Sequence, residues 1–569
     1  MTDATPSRRS STPSRHAPIP PAPGPFFPPT MDGAREALRH YFGYEGFRPG
    51  QGEVVEAILQ GRDALAVMPT GAGKSVCYQV PSVLLGGLTL VVSPLISLMG
   101  DQVRSLKAAG IRGSYLNSSL NPRQQEVVMA RALAGWYDLM YVAPERLQDP
   151  RFLDFAARAR VPLLAVDEAH CVSQWGQDFR PAYRGIADFV GRLPRRPVVA
   201  ALTATATSRV RADVVGLLGL RDPLTQVSGF DRPNLFLHSF ELTPKERERW
   251  VLGYVRDHAQ QSGIVYATSR KRVDSLAEAL REAGVPAVAY HAGYDNDLRR
   301  EAQARFVRDD ARVMVATNAF GMGIDKSDVR YVINCGLPLS LEEYYQEAGR
   351  AGRDGEPAEC YLLWSRGDIR TCHYLIDSGD FPPELDEAER AALTQSRERL
   401  LGQMIGYAMS DSCLRARILS YFGQGSGTHV DVARPGESGV GASVPAASQG
   451  REGCGSCSVC CGRTPERYLR TRRAPGSFGR GARTRELPSE REVTDEDERL
   501  FQRLRALRKQ LADDAGVPPY VVFSDATLRG MVRLRPQGED ELLQVSGVGQ
   551  TKLRRYGEQF LDVIAGRVE

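Results

Sequence analysis

The sequence predicts an α/β fold with two parallel-sheet lobes in tandem, followed by a helical region and a small all-α domain. Two observations support this prediction. The chain has 569 residues, which is too many for one hydrophobic core and enough for about three or four domains. Short, continuous apolar runs alternate with helix-like stretches over most of its first two thirds. This is the pattern of a parallel sheet that helices cover on both faces.

The strand-like runs form two series, one for each lobe. The first series consists of residues 63–68, 88–93, 138–142, 162–167 and 197–203. The second series consists of residues 263–267, 287–291, 312–317, 329–333 and 359–363. We therefore place the first lobe at residues 31–225 and the second at residues 226–365. Residues 1–30 are rich in Pro, Ser and Arg, and we expect them to form a disordered tail.

The overall composition excludes few classes of function. Hydrophobic residues make up 42% of the chain and charged residues 25%, which is ordinary for a globular protein. The net charge of +4 is small for this length, but eight arginines and one glutamate fall between Arg463 and Arg485. This basic segment suits a phosphate backbone, and it suits a solvated linker equally well.

The sequence shows no sign of a membrane or secreted protein. No apolar run reaches the roughly 18 residues that a membrane span needs, and the N-terminus has no apolar signal core. We therefore expect a cytoplasmic protein without a membrane partner, associated with the nucleoid if it is bacterial. The ten cysteines agree with a reducing compartment, because four of them lie between Cys454 and Cys461 at metal-like spacing.

A glycine-rich segment, Met-Pro-Thr-Gly-Ala-Gly-Lys-Ser at residues 68–75, lies between the first strand-like run and a helix-like stretch. In that setting backbone N–H groups close around phosphate oxygens, Lys74 supplies a cation, and the Ser75 hydroxyl can bind Mg²⁺. Met68 occupies the position of the first P-loop glycine, and Gly-Lys-Ser also occurs by chance in loops, so the motifs downstream decide. The residues assigned to the nucleotide here are Thr70, Gly71, Gly73, Lys74 and Ser75.

The sequence Asp167-Glu-Ala-His170 stands at the end of a strand-like run, where open α/β sheets bind their ligands. One carboxylate can hold Mg²⁺, and its neighbour can orient and deprotonate the attacking water of phosphoryl transfer. We assign Asp167 to the metal and Glu168 to the base. An Asp-Glu pair also occurs as a mere cap or turn after a strand, but the Lys74 loop in the same lobe favours the catalytic interpretation.

Together these motifs resemble those of RecQ-family DNA helicases, a branch of superfamily 2. The resemblance extends over residues 35–365, and it implies that the two lobes are RecA-like. The motifs that carry it are 47–51 (Phe-Arg-Pro-Gly-Gln), the Lys74 loop, 93–98 (Ser-Pro-Leu-Ile-Ser-Leu), 167–170, 203–206 (Thr-Ala-Thr-Ala), 317–325 (Thr-Asn-Ala-Phe-Gly-Met-Gly-Ile-Asp) and 346–354 (Gln-Glu-Ala-Gly-Arg-Ala-Gly-Arg-Asp).

The resemblance implies which residues recognise the base of the nucleotide. Tyr44, Arg48 and Gln51 fall where the family recognises adenine. An aromatic face, a guanidinium and an amide suit a purine edge. Gln346, the first residue of the last motif, is assigned to the nucleotide by the same resemblance.

Two threonines and two arginines are expected to connect the lobes. Thr203 and Thr205 match the motif that couples the lobes in the family. Arg350 and Arg353 fall where the second lobe is expected to reach the triphosphate, with Arg353 as the arginine finger. An arginine there neutralises charge on the transferred phosphoryl group only when the lobes close, so hydrolysis is tied to motion.

The segment His-Cys-Val-Ser-Gln-Trp-Gly-Gln-Asp-Phe-Arg-Pro at residues 170–181 resembles the aromatic-rich loop of RecQ proteins, which links single-strand binding to ATP hydrolysis. Trp175 and Phe179 offer stacking faces worth about 1–3 kcal/mol per base, and Arg180 adds a phosphate or ring contact. Aromatic residues usually pack into a core, but the polar neighbours of Trp175 favour an exposed ring that contacts DNA.

Beyond the second lobe, the cysteines predict a metal site. Cys454, Cys457 and Cys460 form a C-x-x-C-x-x-C run, and Cys413 in a helix-like stretch supplies a fourth thiolate. Four soft ligands suit a structural, tetrahedral Zn²⁺. Cys461 could replace Cys460, and the cysteine count alone also allows an iron–sulfur cluster, although the family resemblance favours zinc.

Two low-complexity segments interrupt the second half of the chain. A Gly/Ser/Ala-rich insertion at about residues 424–450 divides the zinc-binding region, residues 366–465, and we expect it to loop out as disorder. Residues 466–494 form an Arg-rich linker. RecQ proteins commonly carry a winged-helix domain here that grips duplex DNA, but this linker is too short for one. Its arginines are therefore a candidate substitute.

Residues 495–569 resemble an HRDC domain, a small all-α module of the same family. The match is carried by residues 517–523, 526–529 and 543–552. The turn at Gly547-Val-Gly549 permits a close approach of the backbone to phosphate, Lys552 lies nearby, and Tyr520 is a stacking candidate. A glycine turn between packed helices explains the same turn at least as well.

We therefore predict an ATP-driven DNA helicase that acts on single-stranded and forked DNA in repair or recombination, with ATP, Mg²⁺ and Zn²⁺ bound. The family implies movement from 3′ to 5′. A second hypothesis is a DNA-binding or strand-annealing protein whose ATPase only controls affinity, which the missing winged helix encourages. An RNA helicase shares Asp-Glu-Ala-His, but the Trp175 loop, the cysteines and the C-terminal module argue against it.

Overall fold

The structure is a computed structural model, and it describes residues 26–94, 96–176, 178–320, 326–379, 381, 385–424, 453–469 and 495–567. Most of the expected tail, insertion and Arg-rich linker lies outside these residues, as do residues 321–325 of the motif at 317–325. The described residues form two sheet lobes, a helical region and a helical C-terminal domain, which confirms the predicted fold class.

The first lobe is a seven-stranded sheet with eight α-helices among the described residues. Its strands are β1 Ala64–Val67, β2 Thr89–Val92, β3 Gly113–Leu116, β4 Leu139–Val142, β5 Leu163–Val166, β6 Val198–Thr203 and β7 Leu224–Val227. Its helices are α1 Met31–Phe42, α2 Gln51–Leu59, α3 Val76–Leu84, α4 Ile96–Ala109, α5 Pro122–Leu133, α6 Pro150–Arg158, α7 Ile186–Arg192 and α8 Ser208–Leu217. The strand order is β3-β4-β2-β5-β6-β1-β7, and all pairs are parallel.

Both faces of this sheet are covered. In β1, Leu65 and Val67 belong to one buried cluster, whereas Ala64 and Ala66 belong to another. Successive residues of a strand point to opposite faces, so each face has its own core. This is why the central strands are continuously apolar.

The second lobe is a six-stranded parallel sheet with the order β10-β11-β9-β12-β13-β8. Its strands are β8 Leu235–Glu241, β9 Ser262–Ala267, β10 Ala287–Tyr290, β11 Val313–Ala316, β12 Val329–Cys335 and β13 Ala358–Trp364. Its helices are α9 Pro244–Asp257, α10 Arg270–Glu282, α11 Asn296–Val307 and α12 Leu341–Ala348.

Every predicted strand-like run contains a strand, but β3, β7 and β8 were not predicted. All three lie at the edge of a sheet, and each mixes polar with apolar residues. A continuous apolar run marks a strand that is buried on both faces, so it does not mark these edges. Because β7 pairs with β1, the first lobe extends to Val227, beyond the expected boundary at residue 225.

A helical region follows and packs on the second lobe. Its helices are α13 Arg366–Asp377, α14 Glu387–Ala408, α15 Leu414–Tyr421, α16 Ser458–Cys461 and α17 Glu466–Leu469. The loop before α16 covers the outer edge of β8, where the Leu237 N–H donates to the Ser456 carbonyl at 3.0 Å and Leu237 pairs with Cys457. Covering an exposed strand edge prevents it from pairing with other chains.

The C-terminal domain has its own core. Its helices are α18 Asp495–Ala515, α19 Pro519–Val522, α20 Asp525–Leu534, α21 Glu539–Leu542 and α22 Gln550–Ile564. Leu504, Phe523, Leu528 and Phe560 are fully buried inside it. Neither these helices nor any others in the described part of the chain are long and apolar enough to cross a membrane.

On the second lobe, this domain is held by a buried cluster of charges. The Lys326 ammonium lies 2.5 Å from Asp309 and 3.0 Å from Asp328. From α18, Arg505 approaches Asp328 at 3.1 Å and Arg508 approaches it at 3.9 Å. Burial acts to raise the pKa of Asp328, but Lys326 and the two arginines outweigh it and hold that pKa well below its usual value.

On the first lobe, the same domain makes a backbone contact. The Gly547 N–H donates to the Gly43 carbonyl at 3.3 Å. Gly43 has a φ of 70°, and a Cβ placed on it would lie 2.4 Å from the nitrogen of Gly549. Only glycine therefore allows this close approach.

Candidate functional site

Residues 68–75 form the loop between β1 and α3, as the sequence predicts. Gly71 and Gly73 have φ angles of 86° and 80°, a region that strains residues with a Cβ. Ser75 stands at the N-cap position of α3 and makes no side-chain capping bond, so the helix N-terminus is open to phosphate oxygens. The Lys74 ammonium lies 3.4 Å from a carbonyl oxygen at the start of the loop.

The carbonyl groups of this loop are held by two residues that the sequence assigns to adenine. Arg48 donates to the Gly71 carbonyl at 2.6 Å. The buried Gln51 amide donates to the carbonyls of Ala72 and Gly73 at 2.8 and 3.0 Å, and its oxygen accepts the Arg48 N–H at 2.9 Å. These contacts, which the sequence did not predict, fix the shape of the loop.

Tyr44 presents a more open aromatic surface. Its side chain is 38% exposed, and its ring lies parallel to that of Phe42 with centroids 6.5 Å apart. It directly follows Gly43, which contacts the C-terminal domain. The candidate adenine platform therefore lies next to that contact.

Asp167 and Glu168 directly follow β5 and are half-buried. Desolvation, together with the charge of Glu168, raises the pKa of Asp167 to about 7, and nearby Lys74 opposes this shift. A carboxyl with a raised pKa beside a second carboxylate fits a divalent cation, which would neutralise both. Glu168 has a φ of 47°, a conformation that is uncommon without glycine and is frequent at functional sites.

Hydrogen bonds connect the Asp-Glu motif to both the threonine motif and the second lobe. The buried His170 ring places Nδ1 2.8 Å from the Thr203 hydroxyl and 3.4 Å from Glu168. Two residues further on, the Thr205 hydroxyl accepts the Gln346 amide of α12 at 3.1 Å. Gln346, expected at the nucleotide, therefore reaches across the cleft to the coupling motif.

Arg350 and Arg353 follow α12, and Arg353 contacts the glycine loop. Arg350 is buried, with 5% of its surface exposed, whereas Arg353 is half-buried. A Cβ placed on Gly71 would lie 3.3 Å from Cγ of Arg353. The stem of the proposed arginine finger therefore packs directly on the loop of the first lobe.

Arg232, between β7 and β8, also reaches this loop and was not predicted. Its Nη1 donates to the carbonyls of Thr70 and Gly349 at 2.7 and 3.2 Å. Its Nη2 donates to the carbonyls of Ala351 and Gly352, both at 2.9 Å. The surrounding sequence is polar and has no periodicity, so only its place between the two strand series could have signalled a role.

The residues expected to bind DNA in the aromatic-rich loop have protein partners. Contrary to the expected exposure, Trp175 is half-buried against the core, and the Arg209 guanidinium lies 3.3 Å from its ring centroid. Arg184 lies 4.9 Å from the ring centroid of Phe179. Arg180 pairs with a neighbouring aspartate at 3.0 Å. Both aromatic rings therefore have a guanidinium over them, an arrangement that stabilises this position of the loop.

Four cysteines converge as the sequence predicts. The Sγ atoms of Cys413, Cys454, Cys457 and Cys460 all lie within 4.8 Å of one another, whereas Cys461 is exposed and not part of this cluster. Burial acts to raise the pKa of Cys454, but hydrogen bonds from a neighbouring serine outweigh it and hold that pKa at about 7. Four thiols so arranged fit a tetrahedral Zn²⁺.

In the C-terminal domain, the candidate DNA contacts also face protein. Tyr520 is half-buried and packs against the core cluster that includes both lobes. The Lys552 ammonium lies 5.6 Å from the ring centroid of Phe523, and desolvation lowers its pKa to about 8. The Gly547 turn packs on Gly43, so in this structure it joins packed protein segments rather than presenting its backbone to phosphate.

Four domain families match successive parts of the chain. Residues 48–214 match the DEAD/DEAH box helicase domain, residues 246–355 the helicase conserved C-terminal domain, residues 366–461 the RecQ zinc-binding domain and residues 497–564 the HRDC domain. These matches confirm the predicted helicase lobes, zinc-binding region and HRDC module. Residues 462–496 lie between the last two matches.

Whole-chain relatives agree with these matches. The ATP-dependent DNA helicase RecQ of Bacillus subtilis is 38% identical over 93% of this chain and 98% of its own length. The protein of the same name in Haemophilus influenzae is 36% identical over 93% of this chain and 95% of its own length. The solved structure of Mss116p bound to ssRNA and AMP-PNP has a TM-score of 0.54 at 16% identity, over 69% of this chain and 90% of that one, which shows the fold alone. The chain therefore belongs to the RecQ family of ATP-dependent DNA helicases.

Proposed function

We propose that this protein hydrolyses ATP to move from 3′ to 5′ along single-stranded DNA and to unwind duplex, in DNA repair or recombination. The observation that carries this proposal is the contact between Gly71 of the first lobe and Arg353 of the second. A nucleotide bound at this loop would touch both lobes. Binding would then close the lobes and hydrolysis would release them, so that grips on the DNA strand move.

In the proposed reaction, Lys74 binds the phosphates and Glu168 orients and deprotonates the attacking water. Arg353, as the arginine finger, neutralises charge on the transferred phosphoryl group, and the buried Arg350 supports it. Ser75 and Asp167 would hold Mg²⁺, which when bound neutralises charge on the phosphate oxygens. The uncapped Ser75 hydroxyl and the raised pKa of Asp167 support this assignment.

Adenine recognition is proposed for Tyr44, Arg48 and Gln51. The exposed Tyr44 ring offers a stacking face. Because Arg48 and Gln51 also bond to the carbonyls of the glycine loop, a purine that contacts them would act on the phosphate site as well. Gln346 is proposed to act at the same nucleotide, through its bond to Thr205.

Single-stranded DNA is proposed to bind Trp175, Phe179 and Arg180. A base that stacks on the covered face of Trp175 must displace the Arg209 guanidinium. Such an exchange would move the loop that starts at His170, and His170 bonds to the coupling motif. Tyr520 and Lys552 are proposed as secondary contacts, and they would have to leave their protein partners first.

Zn²⁺ is proposed to be bound by Cys413, Cys454, Cys457 and Cys460 as a structural ion. All four thiol groups are occupied in such a site, so no position is open for chemistry. The ion would fix the loop that pairs with β8.

Forked DNA is the proposed substrate, and the basic segment between Arg463 and Arg485 is proposed to grip its duplex arm. Arg463, the first of these arginines, lies 3.9 Å from the Phe236 ring centroid and 3.2 Å from Glu359. Neutralising the other arginines of the segment should weaken duplex binding and reduce the salt dependence by about 0.9 log unit per lost phosphate contact. An unchanged salt slope would remove this part of the proposal.

A cytoplasmic location at the nucleoid is also proposed, since chromosomal DNA is the expected substrate. The domain divisions near residues 30, 225, 365, 465 and 494 are proposed together with it. Imaging of a fluorescent fusion before and after DNA damage would test the location, and limited proteolysis would test the divisions.

Strand separation on tailed duplexes tests the main proposal. Wild-type protein with ATP should release the strand from a 3′-tailed DNA duplex and not from a 5′-tailed one, while Lys74→Ala should release neither. Annealing that persists in Lys74→Ala, without unwinding by the wild type, would favour the strand-annealing hypothesis. Preferential unwinding of an RNA duplex would favour an RNA helicase.

A further inference from the structure

One guanidinium joins the two lobes at the glycine loop. Arg232 donates to Thr70 in the first lobe, and to Gly349, Ala351 and Gly352 in the second, at 2.7 to 3.2 Å. The second-lobe carbonyls flank Arg350 and directly precede Arg353. The loop that binds phosphate and the segment that carries both arginines are therefore held by the same side chain.

The approach of the two segments around Arg232 is close. A Cβ placed on Gly349 would lie 3.3 Å from Cβ of Thr70. A Cβ placed on Gly71 would lie 3.5 Å from Nη1 of Arg232 and 3.3 Å from Cγ of Arg353. A small displacement of Arg232 would therefore move the proposed finger relative to the phosphate site.

The charge of Arg232 also fits a triphosphate. Four of its acceptors are backbone carbonyls and the fifth is the Asn234 amide oxygen at 3.4 Å, and all of these are neutral. Desolvation lowers its pKa, and Arg353 and Arg48 lower it further. Three arginines close together repel one another until an anion lies among them.

A second arginine holds Arg232 from the side of the cysteine cluster. Arg415, two residues after Cys413, donates to the carbonyls of Arg232 and Leu235 at 2.9 and 2.6 Å. It also donates to the Ser456 hydroxyl at 3.0 Å, between two of the cysteines. The zinc-binding region is thereby connected through two guanidinium groups to the glycine loop.

We propose that Arg232 is a positioning residue for ATP hydrolysis, which holds the segment of Arg350 and Arg353 on the phosphate-binding loop. Arg415 fixes Arg232 in turn. This inference rests on the proposed ATPase function and goes beyond it by naming the side chain that brings the two halves of the site together. Arg232 acts through Arg353 and not by contact with the reacting atoms.

The test compares Arg232→Lys and Arg232→Gln with the wild type. Lysine keeps the charge but cannot bond to both lobes with a planar fork, so both variants should lower the kcat of DNA-stimulated ATP hydrolysis by about 10- to 100-fold. Equilibrium binding of a fluorescent ATP analogue should change by less than about threefold, because Lys74 and the loop stay in place. The matched control is Arg366→Gln, which changes an exposed arginine on α13 and should leave both quantities unchanged.

Hydrogen–deuterium exchange gives a readout that does not depend on activity. In Arg232→Gln, exchange should become faster in peptides that cover residues 68–76 and 345–356, and stay unchanged in the C-terminal domain. Arg415→Gln should raise exchange in the same peptides and lower kcat by about fivefold, the size of one lost hydrogen bond. The double variant should be no slower than Arg232→Gln alone, because the two arginines act in series.

Each possible result decides the proposal. Normal kcat in Arg232→Gln, or unchanged exchange at both segments, would overturn it. Loss of nucleotide binding in proportion to kcat, with a lowered unfolding temperature, would also overturn it, because the role would then be only structural. Failure of the wild type to hydrolyse ATP would overturn the proposed function instead, and the exchange data would still test whether Arg232 joins the lobes.

Discussion

The two lobes share a topology and differ in how one matching strand ends. In the sheet orders, β1 follows β6 in the first lobe and β8 follows β13 in the second. β1 leads through the glycine loop to α3, whose Ser75 makes no capping bond. β8 leads within three residues to α9, where Thr243 and Glu246 form a capping box. The same position is thus an open helix N-terminus in one lobe and a closed one in the other.

This difference shows what phosphate binding requires of a helix. A side-chain cap contributes about 0.5–2 kcal/mol by accepting N–H groups that the first turn leaves unsatisfied. In the second lobe Thr243 and Glu246 fill that role. In the first lobe the groups are left for phosphate oxygens. The second lobe therefore has no comparable phosphate site at this position, and instead supplies Arg350 and Arg353 to the site of the first.

A second difference concerns the neighbour of each matching strand. β1 is covered by β7, a strand of its own lobe. The outer edge of β8 is covered by the loop that contains Ser456 and Cys457. The cysteine cluster therefore takes, in the second lobe, the place that a seventh strand takes in the first.

The largest expected effect comes from removing the cation of the open helix N-terminus. Lys74→Ala should reduce ATP hydrolysis to background and weaken binding of a fluorescent ATP analogue, because no other residue of the loop supplies a charge. The matched variant is Lys245→Ala, in the first turn of α9, which should hydrolyse ATP normally in the absence of DNA. Equal effects of the two variants would show that the lobes do not differ as described.

The next largest effect concerns the arginine that the second lobe contributes. Arg353→Ala should lower the kcat of ATP hydrolysis by about 10³-fold or more, since an arginine finger acts on charge that develops in the transition state. Binding of the ATP analogue should change by less than about threefold. Arg370→Ala, at an exposed position of α13, serves as the control. A large loss of nucleotide affinity in Arg353→Ala, with little change in kcat, would assign it to ground-state binding instead.

Zinc removal should affect the second lobe more than the first. Cys454→Ser should lose bound zinc and lower the unfolding temperature by about 5 °C or more, with faster hydrogen exchange in β8 than in β1. Cys461→Ser should keep both zinc and stability, because Cys461 is exposed and lies outside the cluster. Zinc loss in Cys461→Ser, or faster exchange in β1 than in β8, would contradict the proposed ligand set or its effect on the sheet.

The smallest expected effect separates the two contacts of the C-terminal domain. Lys326 and the arginines of α18 hold the pKa values of Asp309 and Asp328 below the ordinary value of 3.8, against the opposing effect of burial. A group with a lowered folded-state pKa stabilises the fold above its unfolded pKa, and this contribution is lost as the pH falls towards the folded value. Contacts with the second lobe should therefore weaken below about pH 4, while the uncharged Gly43 contact should not respond directly.

Hydrogen exchange in α18 between pH 7 and pH 3.5, corrected for the intrinsic rate, measures this loss. Asp328→Asn should show faster exchange in α18 already at pH 7. Asp310→Asn, which removes only the half-exposed pair with Lys509, should behave like the wild type. If exchange in α18 is the same in all three proteins, the buried charge cluster does not hold the domain.

Sequence patterns predicted the parts of the fold that repeat a simple rule. Central strands are continuously apolar because both faces are buried, so all of them were found. The edge strands β3, β7 and β8 keep polar residues, and they were missed for that reason. The cysteine spacing predicted the metal cluster, and geometry selected Cys460 over Cys461, which the sequence left open.

Side-chain partners across the lobes could not be predicted in the same way. The bonds of Gln51 and Arg232 to loop carbonyls depend on how the lobes pack, and no periodicity marks them. The polar neighbours of Trp175 suggested exposure, but Arg209 of α8 covers its ring. Such contacts join residues far apart in sequence, and only the assembled structure shows them.

The central claim is that one nucleotide site is shared by two lobes whose movement is linked to DNA. The most direct measurement is the rate of ATP hydrolysis by the purified wild-type protein, with and without a single-stranded oligodeoxynucleotide, beside Arg353→Ala. The account predicts a rate that rises severalfold with the oligonucleotide in the wild type and stays at background in the variant. A wild-type rate that does not respond to the oligonucleotide would contradict it.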